Sequence, residues 1–378
     1  MDFSLTEEQE TMRVTARKFV DKEILPVILE YDEKEEFPLE IVNKMHEVGL
    51  LTIGVPEEFD GPGADILTQI LVTEELSRGC GGIGATMAAS CLLSAQPVNV
   101  AGTYEQKKYY YDRLNAGKLG AFCLTEPGAG SDTAGISLTA KRDGDFYVLN
   151  GTKQFITNGG VADIYTVFGT TNKELRYKGI IGFIVDRNTP GISVGPEEKK
   201  MGIRTSDTRQ VIFEDVRVPV ANRLGEEGEG FKILMKALDL SRPSVAAEAV
   251  GIAQGAYEAA VKYCKERVAF GQEIGKFQAI RFMLADMAME IEAARLLTYK
   301  ACYLAQENLP FSHVASYAKC FAADVAMKVT TNVVQILGGY GYLREYGVEK
   351  YMRDAKVMQI YEGTNQIQRV VIANNIFK

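Results

Sequence analysis

The 378-residue chain has no tryptophan and only two histidines, His46 and His313, far apart in sequence. So thin a supply makes a His-centred triad or a multi-His metal site hard to build, and no metal site is expected. No two cysteines stand at C-x-x-C spacing. The six present, Cys80, Cys91, Cys123, Cys264, Cys302 and Cys320, lie in apolar surroundings. They read as free buried thiols in a reducing, cytoplasmic compartment. Positive charge is not in excess: 42 Lys plus Arg face 50 Asp plus Glu, a formal net charge of −8. That balance argues against nucleic-acid binding, whose affinity comes mostly from neutralising phosphates. Two common nucleotide signatures, G-x-x-x-x-G-K-[ST] and a strand-to-helix G-x-G-x-x-G, are absent. The longest uncharged run, residues 79–104, is interrupted by glycines, Ser90, Ser94, Pro97 and Asn99. It reads as a buried core helix flanked by turns rather than a membrane span. The opening Met-Asp-Phe-Ser-Leu-Thr-Glu-Glu has neither the basic nor the apolar region of a signal peptide, and none is expected.

What is present is the balance of a soluble globular protein, 46% hydrophobic and 24% charged, with length enough for a large core. The pattern changes twice, predicting an α+β fold of three domains. Residues 1–118 read as helical, with a capping box at Thr6-x-x-Gln9, a helix starting at Pro38 and another over 65–78. Residues 119–226 carry short β-branched and aromatic runs at 121–125, 137–141, 146–149, 155–157, 164–168, 180–185 and 211–218. Turn signals at Asp143-Gly144 and Asn150-Gly151 separate them, which suggests an antiparallel sandwich or barrel. Residues 227–378 return to helical period. A stripe of Ile280, Leu284, Met287, Ile291 and Ala294 marks a long helix over about 276–308. Others follow to about 337 and from about 364, suiting a four-helix bundle. Pro243 should kink or break the helix that contains it.

The glycine-rich Leu124-Thr125-Glu126-Pro127-Gly128-Ala129-Gly130-Ser131-Asp132 follows a strand. It offers close backbone approach at a sheet end, fit for a flat or phosphorylated ligand, although composition alone would equally suit a tight surface turn. With Ala121-Phe122-Cys123 before it, the segment resembles the first signature of the acyl-CoA dehydrogenases. Phe155-Ile156-Thr157-Asn158, Arg267-Val268-Ala269-Phe270-Gly271, Gln335-Ile336-Leu337-Gly338-Gly339, Met352-Arg353-Asp354-Ala355 and Ile360-Tyr361-Glu362-Gly363-Thr364 follow in the family order. The resemblance spans essentially the whole chain and implies the same three-domain order.

It further implies FAD as cofactor, an electron-transfer flavoprotein as partner and a homotetramer built as a dimer of dimers. Glu362 is then the base that removes the α-proton of an acyl-CoA thioester while the β-hydride leaves for the flavin. A weakly acidic α-proton calls for a desolvated carboxylate of raised pKa. Some branches carry the base immediately before an Arg of the C-terminal domain. That site here is Ser241, which cannot serve, so Glu362 is expected to act alone. By the same resemblance Phe122, Leu124, Thr125, Gly130, Ser131, Phe155 and Thr157 hold the flavin, with Phe155 standing where the family often has Trp. Arg267, Phe270, Gln278, Gln335, Gly338 and Gly339 hold the diphosphate and adenine across a subunit boundary, and Thr364 and Gln366 complete the set. Ser131, Asp239, Arg242, Tyr361 and Gly363 are implied on the substrate side.

The stretch Met87-Ala88-Ala89-Ser90-Cys91-Leu92 departs from the short-chain pattern. Small residues at 88–91 suggest room for a medium, branched or cyclic acyl group. Gly84 stands where the glutaryl-type branch has a carboxylate-binding Arg, which disfavours a free distal carboxylate. Two other readings keep parts of this picture: an enoyl-CoA reductase or dehydrogenase of cyclic or aromatic acyl-CoA on the same scaffold, and a non-catalytic flavin- or acyl-CoA-binding module.

Overall fold

A computed structural model describes residues 4–377. Residues 1–3, part of the opening read for leader features, and Lys378 lie outside it. The Thr6 hydroxyl accepts from the Gln9 N–H while the Gln9 side chain accepts from the Thr6 N–H, so the expected capping box starts α1 (Glu7–Phe19). A π-helical turn, Val20–Ile24, continues it. Next come α2 (Ile28–Lys34), too short to show a period in sequence, and α3 (Leu39–Glu47), which begins after Pro38. Asp65 caps α4 (Ile66–Gly79) through the Thr68 N–H. The uncharged run is not one helix. Its glycines and Pro97 divide it into α5 (Gly81–Met87), a π-helical stretch Ala88–Leu93 and α6 (Gln96–Ala101), and every residue from 70 to 95 is buried. A second capping box, Thr103 with Gln106, opens α7 (Tyr104–Asn115).

The middle domain is one eight-stranded sheet: β1 (Gly120–Cys123), β2 (Thr139–Asp143), β3 (Phe146–Thr157), β4 (Ile164–Thr170), β5 (Ile180–Asp186), β6 (Ile192–Glu197), β7 (Thr208–Pro219) and β8 (Arg223–Leu224). Its order is β6-β7-β3-β2-β4-β5-β8, with β1 also paired to β4. Two expectations are corrected. The sheet is not wholly antiparallel, because β1 and β2 both run parallel to β4. Asn150-Gly151 is not a turn: β3 passes straight through it with a register shift against β7. The Asn150 amide clasps Asp215 of β7 at both ends, and a Cβ on Gly151 would stand 2.8 Å from the Leu138 Cα. Glycine is there for close approach, not for chain reversal.

The C-terminal domain begins with α8 (Gly230–Glu266), which runs 37 residues through Pro243 without breaking. Burial decides against the expected break. Ser241, Arg242, Pro243 and Ser244 are all buried, and the Ser244 hydroxyl donates to the Ser241 carbonyl at 2.7 Å beside the missing proline N–H. A short hairpin, β9 (Val268–Ala269) and β10 (Gln272–Glu273), leads to α9 (Gln278–Gln306) and α10 (Ser312–Leu337). The shorter α11 (Val348–Met358) was not anticipated, and α12 (Asn365–Ile376) is capped by Thr364 as expected. The three long helices pack on one another, with α11 and α12 laid on α10 to form the bundle. All six cysteines are free and buried. One helical stretch, Ser312–Tyr342, is apolar and long enough to cross a membrane, and 56% of its most apolar window is buried inside the bundle.

Candidate active site

The loop after β1 is fastened from beneath. The Glu126 carboxylate accepts from the Ser137 N–H and hydroxyl at 2.6 Å, the Leu138 N–H at 2.8 Å and the Lys153 ammonium at 2.8 Å. Lys153 also donates to the Leu124 carbonyl, and the Gln154 N–H to Thr125. Burial alone would push Glu126 up, but Lys153, Ser137 and Leu138 outweigh it and hold the carboxyl below the usual range. Both partners are almost wholly buried, so the loop is built on an internal ion pair rather than being an ordinary surface turn. No role for Glu126 or Lys153 was assigned from sequence. A carboxylate within the Thr-Glu-Pro-Gly run was the available signal.

Above this anchor the backbone lies open. A Cβ added at Gly128 or Gly130 would meet nothing within 4 Å, and Ser131 is exposed. Leu124 is buried in a small apolar cluster with Ala129, Phe168, Leu234 and Leu238, and Phe122 packs against it. That cluster seats the loop on α8 one turn before Asp239 and Arg242. Phe155 is 62% exposed with φ at 58°, and Thr157 lies opposite Thr208, whose buried hydroxyl has no partner. An open glycine backbone, a bare aromatic face and an orphaned hydroxyl at one sheet end fit a flat, polar-edged ring such as flavin.

The second group assembles elsewhere. Arg267, Gly338 and Gly339 line one cavity of about 500 Å³ with Tyr263, Ile336 and Tyr340. The Arg267 guanidinium lies 5.4 Å from the centre of the Tyr340 ring. Phe270 is 96% exposed beside Phe277, and Gln278 and Gln335 are exposed at the ends of α9 and α10. Added Cβ atoms at Gly338 and Gly339 meet nothing. A guanidinium over open backbone suits a diphosphate. No residue of β1, β3 or their loops lines this cavity.

Glu362 sits between α11 and α12 with φ at 51°, followed by Gly363 at 90°. Few non-glycine residues adopt such angles, and the surroundings enforce them here. The Ser241 hydroxyl donates to Glu362 Oε2 at 2.5 Å. The Gln368 amide donates to the Glu362 and Gly363 carbonyls at 3.3 and 3.0 Å, and Lys319 Nζ to the Gly363 carbonyl at 2.8 Å. Burial pushes the Glu362 carboxyl up, and the Ser241 bond with the Lys319 and Arg242 charges pulls it partly back. Burial draws Lys319 down to about 8. Ser241, excluded as a base from sequence, is therefore a hydrogen-bond donor to Glu362.

Asp239 and Arg242 pair with each other one turn apart on α8. Arg242 is buried and its Nε has no partner, so it is not a solvated helix charge. The Tyr361 hydroxyl does not stand free: it donates to Glu248 Oε2 at 2.5 Å. Thr364 caps α12 through the Ile367 N–H, which fixes where the Glu362 loop ends, and Gln366 is exposed on the first turn. Lys319 and Glu248 were missed because nothing in their helical stretches distinguishes them from surface charges.

In the expected acyl region, Ser90 accepts from the Gly120 N–H at 3.0 Å and the Cys91 thiol donates to the Met87 carbonyl at 3.2 Å. Those two side chains are spent on packing, leaving Ala88 and Ala89 as the small buried positions. A Cβ on Gly84 would stand 2.0 Å from the Ser77 hydroxyl, so no arginine fits there against this α4.

Family profiles described as Acyl-CoA dehydrogenase N-terminal, middle and C-terminal domains match residues 6–118, 121–216 and 228–377. The chain belongs to the acyl-CoA dehydrogenases. It is 48% identical over 379 residues to the Acyl-CoA dehydrogenase, short-chain specific, of Clostridium acetobutylicum, covering 100% of each. It is 46% identical over 381 residues to the Acryloyl-CoA reductase (NADH) of Anaerotignum propionicum, covering 100% of this chain and 96% of that one. Butyryl-CoA dehydrogenase from Megasphaera elsdenii is similar in structure, with a TM-score of 0.98, 47% identity and full coverage of both chains. So is a chain from a structure of the electron transferring flavoprotein of Acidaminococcus fermentans, at 0.98 and 50%, again covering 100% of each.

Proposed function

We propose that this enzyme oxidises a short- to medium-length apolar acyl-CoA to its 2-enoyl-CoA, with Glu362 as the base. The observation that carries the assignment is Glu362, half-buried with its carboxyl raised in pKa by desolvation, held in a left-handed backbone and oriented by Ser241. A base poised in this way can take a weakly acidic α-proton near neutral pH. FAD, held by the Thr125–Ser131 loop, Phe155 and Thr157, supplies the acceptor for the β-hydride. Ser241 stabilises the carboxylate before transfer. Lys319 and Gln368 fix the loop carbonyls so that the carboxyl keeps its aim. Arg242, with its unpartnered Nε beside Asp239, together with Ser131, Tyr361 and Gly363, lies on the substrate side. Ala88 and Ala89 leave room for the acyl chain, and the short-chain names of the relatives support the short end of the range.

Electrons pass to an electron-transfer flavoprotein, which the Acidaminococcus match supports. The Anaerotignum relative supports a second reading, the same site run towards enoyl-CoA reduction. The separate Arg267, Gly338 and Gly339 cavity supports a flavin shared between subunits of a homotetramer, with Phe270, Gln278, Gln335 and Gln366 completing its far end. The free buried cysteines support a cytoplasmic location. Domain limits at 118/119 and 226/227 follow from the changes of element type there. The test is Glu362→Gln: flavin content stays and acyl-CoA binds, but flavin reduction by butyryl-CoA falls by several orders of magnitude. Near-normal reduction by the variant refutes the assignment.

A further inference from the structure

A second carboxyl is buried close to the base, and the reaction as described does not use it. Glu248 is 2% exposed and lies on α8 seven residues after Ser241, about two turns along the same helix face. Its Oε2 accepts from the Tyr361 hydroxyl at 2.5 Å, just as Glu362 Oε2 accepts from Ser241 at 2.5 Å. Two consecutive residues of the base loop are thus pinned to one helix at two points. At the second pin and the residue after it, Glu362 and Gly363, the backbone is in the left-handed region, a conformation that persists at Glu362 only where neighbours over-determine it.

We propose that Glu248 is a positioning residue for the reaction: through the Tyr361 hydroxyl it clamps the base loop to α8 and sets the aim of Glu362. The inference rests on Glu362 being the base. The groups that face this pair are few. From α8 come Ser241 and Arg242, the latter paired with Asp239, and from α10 comes Lys319 with Cys320 and Asp324 behind it. From α11, Asp354 faces Tyr361. Burial pushes Glu248 up to about 8, the Tyr361 bond lowers it, and the Glu362 charge raises it again. Burial thus favours the neutral acid at Glu248, the form that adds no second negative charge beside Glu362. The two carboxyls titrate as a coupled pair.

The test is anaerobic stopped-flow reduction of the FAD holoenzyme by butyryl-CoA across pH 6–9, with Glu248→Gln, Glu248→Leu, Tyr361→Phe and Glu362→Gln. Glu248→Gln keeps an acceptor for Tyr361 and holds a near-normal limiting rate near neutral pH. Glu248→Leu and Tyr361→Phe each lose about tenfold in limiting rate, the scale of one broken hydrogen bond, and Glu248→Leu does so with flavin content and half-saturating substrate little changed. If Glu248→Leu does not fold, Tyr361→Phe, which keeps the ring, carries the same expectation. Wild-type limiting rates in Glu248→Leu or Tyr361→Phe overturn the proposal while Glu362→Gln remains inactive. Activity in Glu362→Gln overturns the base assignment and this inference together.

Discussion

Removing the Ser241 hydroxyl isolates one contribution to the base. Ser241→Ala takes away the donor at 2.5 Å from Glu362 Oε2 and leaves the Lys319 and Arg242 charges in place. That bond favours the ionised carboxylate, so its loss raises the Glu362 pKa further above the ordinary carboxylate value. Hydrogen bonds to charged groups contribute about 1.5–3 kcal/mol, and one pKa unit corresponds to about 1.4 kcal/mol. The expected rise is therefore about one to two units. Because proton abstraction needs the ionised form, the acid limb of the rate profile moves to higher pH by that amount. Below the limb the variant is slower by roughly ten- to a hundredfold, and above it the rate recovers. Single-turnover flavin reduction measured against pH reads this directly. An acid limb that stays in place, or a loss equal at every pH, refutes the assigned role of Ser241.

Three further outcomes are expected. Lys153→Met strands the Glu126 carboxylate under the loop after β1, the proposed flavin site. Breaking a buried pair in this way costs about 3–5 kcal/mol, visible as a lowered Tm and flavin lost on dialysis, whereas an unchanged Tm contradicts the anchoring role. Arg267→Ala removes charge-assisted contacts worth roughly 1.5–3 kcal/mol each, so it purifies with less FAD and a weaker oligomer by size-exclusion chromatography. Full flavin in a stable tetramer counts against that. Across straight, branched and cyclic acyl-CoA esters, kcat/KM improves by about 0.8 kcal/mol per buried methylene until Ala88 and Ala89 are filled, and then falls. Glutaryl-CoA is poor because its distal carboxylate finds no cation, and a glutaryl preference would show that the pocket is misread.

Local rules made much of the fold legible. The capping box at Thr6, the helix starts near 65 and 364 and the 3.6-residue stripe of α9 depend on residues close in sequence, and they held. Failures came where distant packing overrode a local preference. Pro243 is carried inside a helix by complete burial, and Asn150-Gly151 is drawn into a strand by Asp215 on the neighbouring one. In the site, the desolvated setting found at Glu362 agrees with what its motif led one to expect. Glu248, Lys319 and Lys153 were not legible, because a buried charge is recognised by what surrounds it, and those surroundings come from other elements.

The unbroken course of α8 has a mechanical consequence. The helix bears on α4 in the first domain, on the flavin-loop cluster in the second and on α9 and α10 in the third, and it also carries Ser241, Arg242 and Glu248. It therefore acts as a mast to which all three sequence domains are rigged, with no joint beside the proposed base. Amide hydrogens along residues 230–266 should be among the slowest in the molecule to exchange.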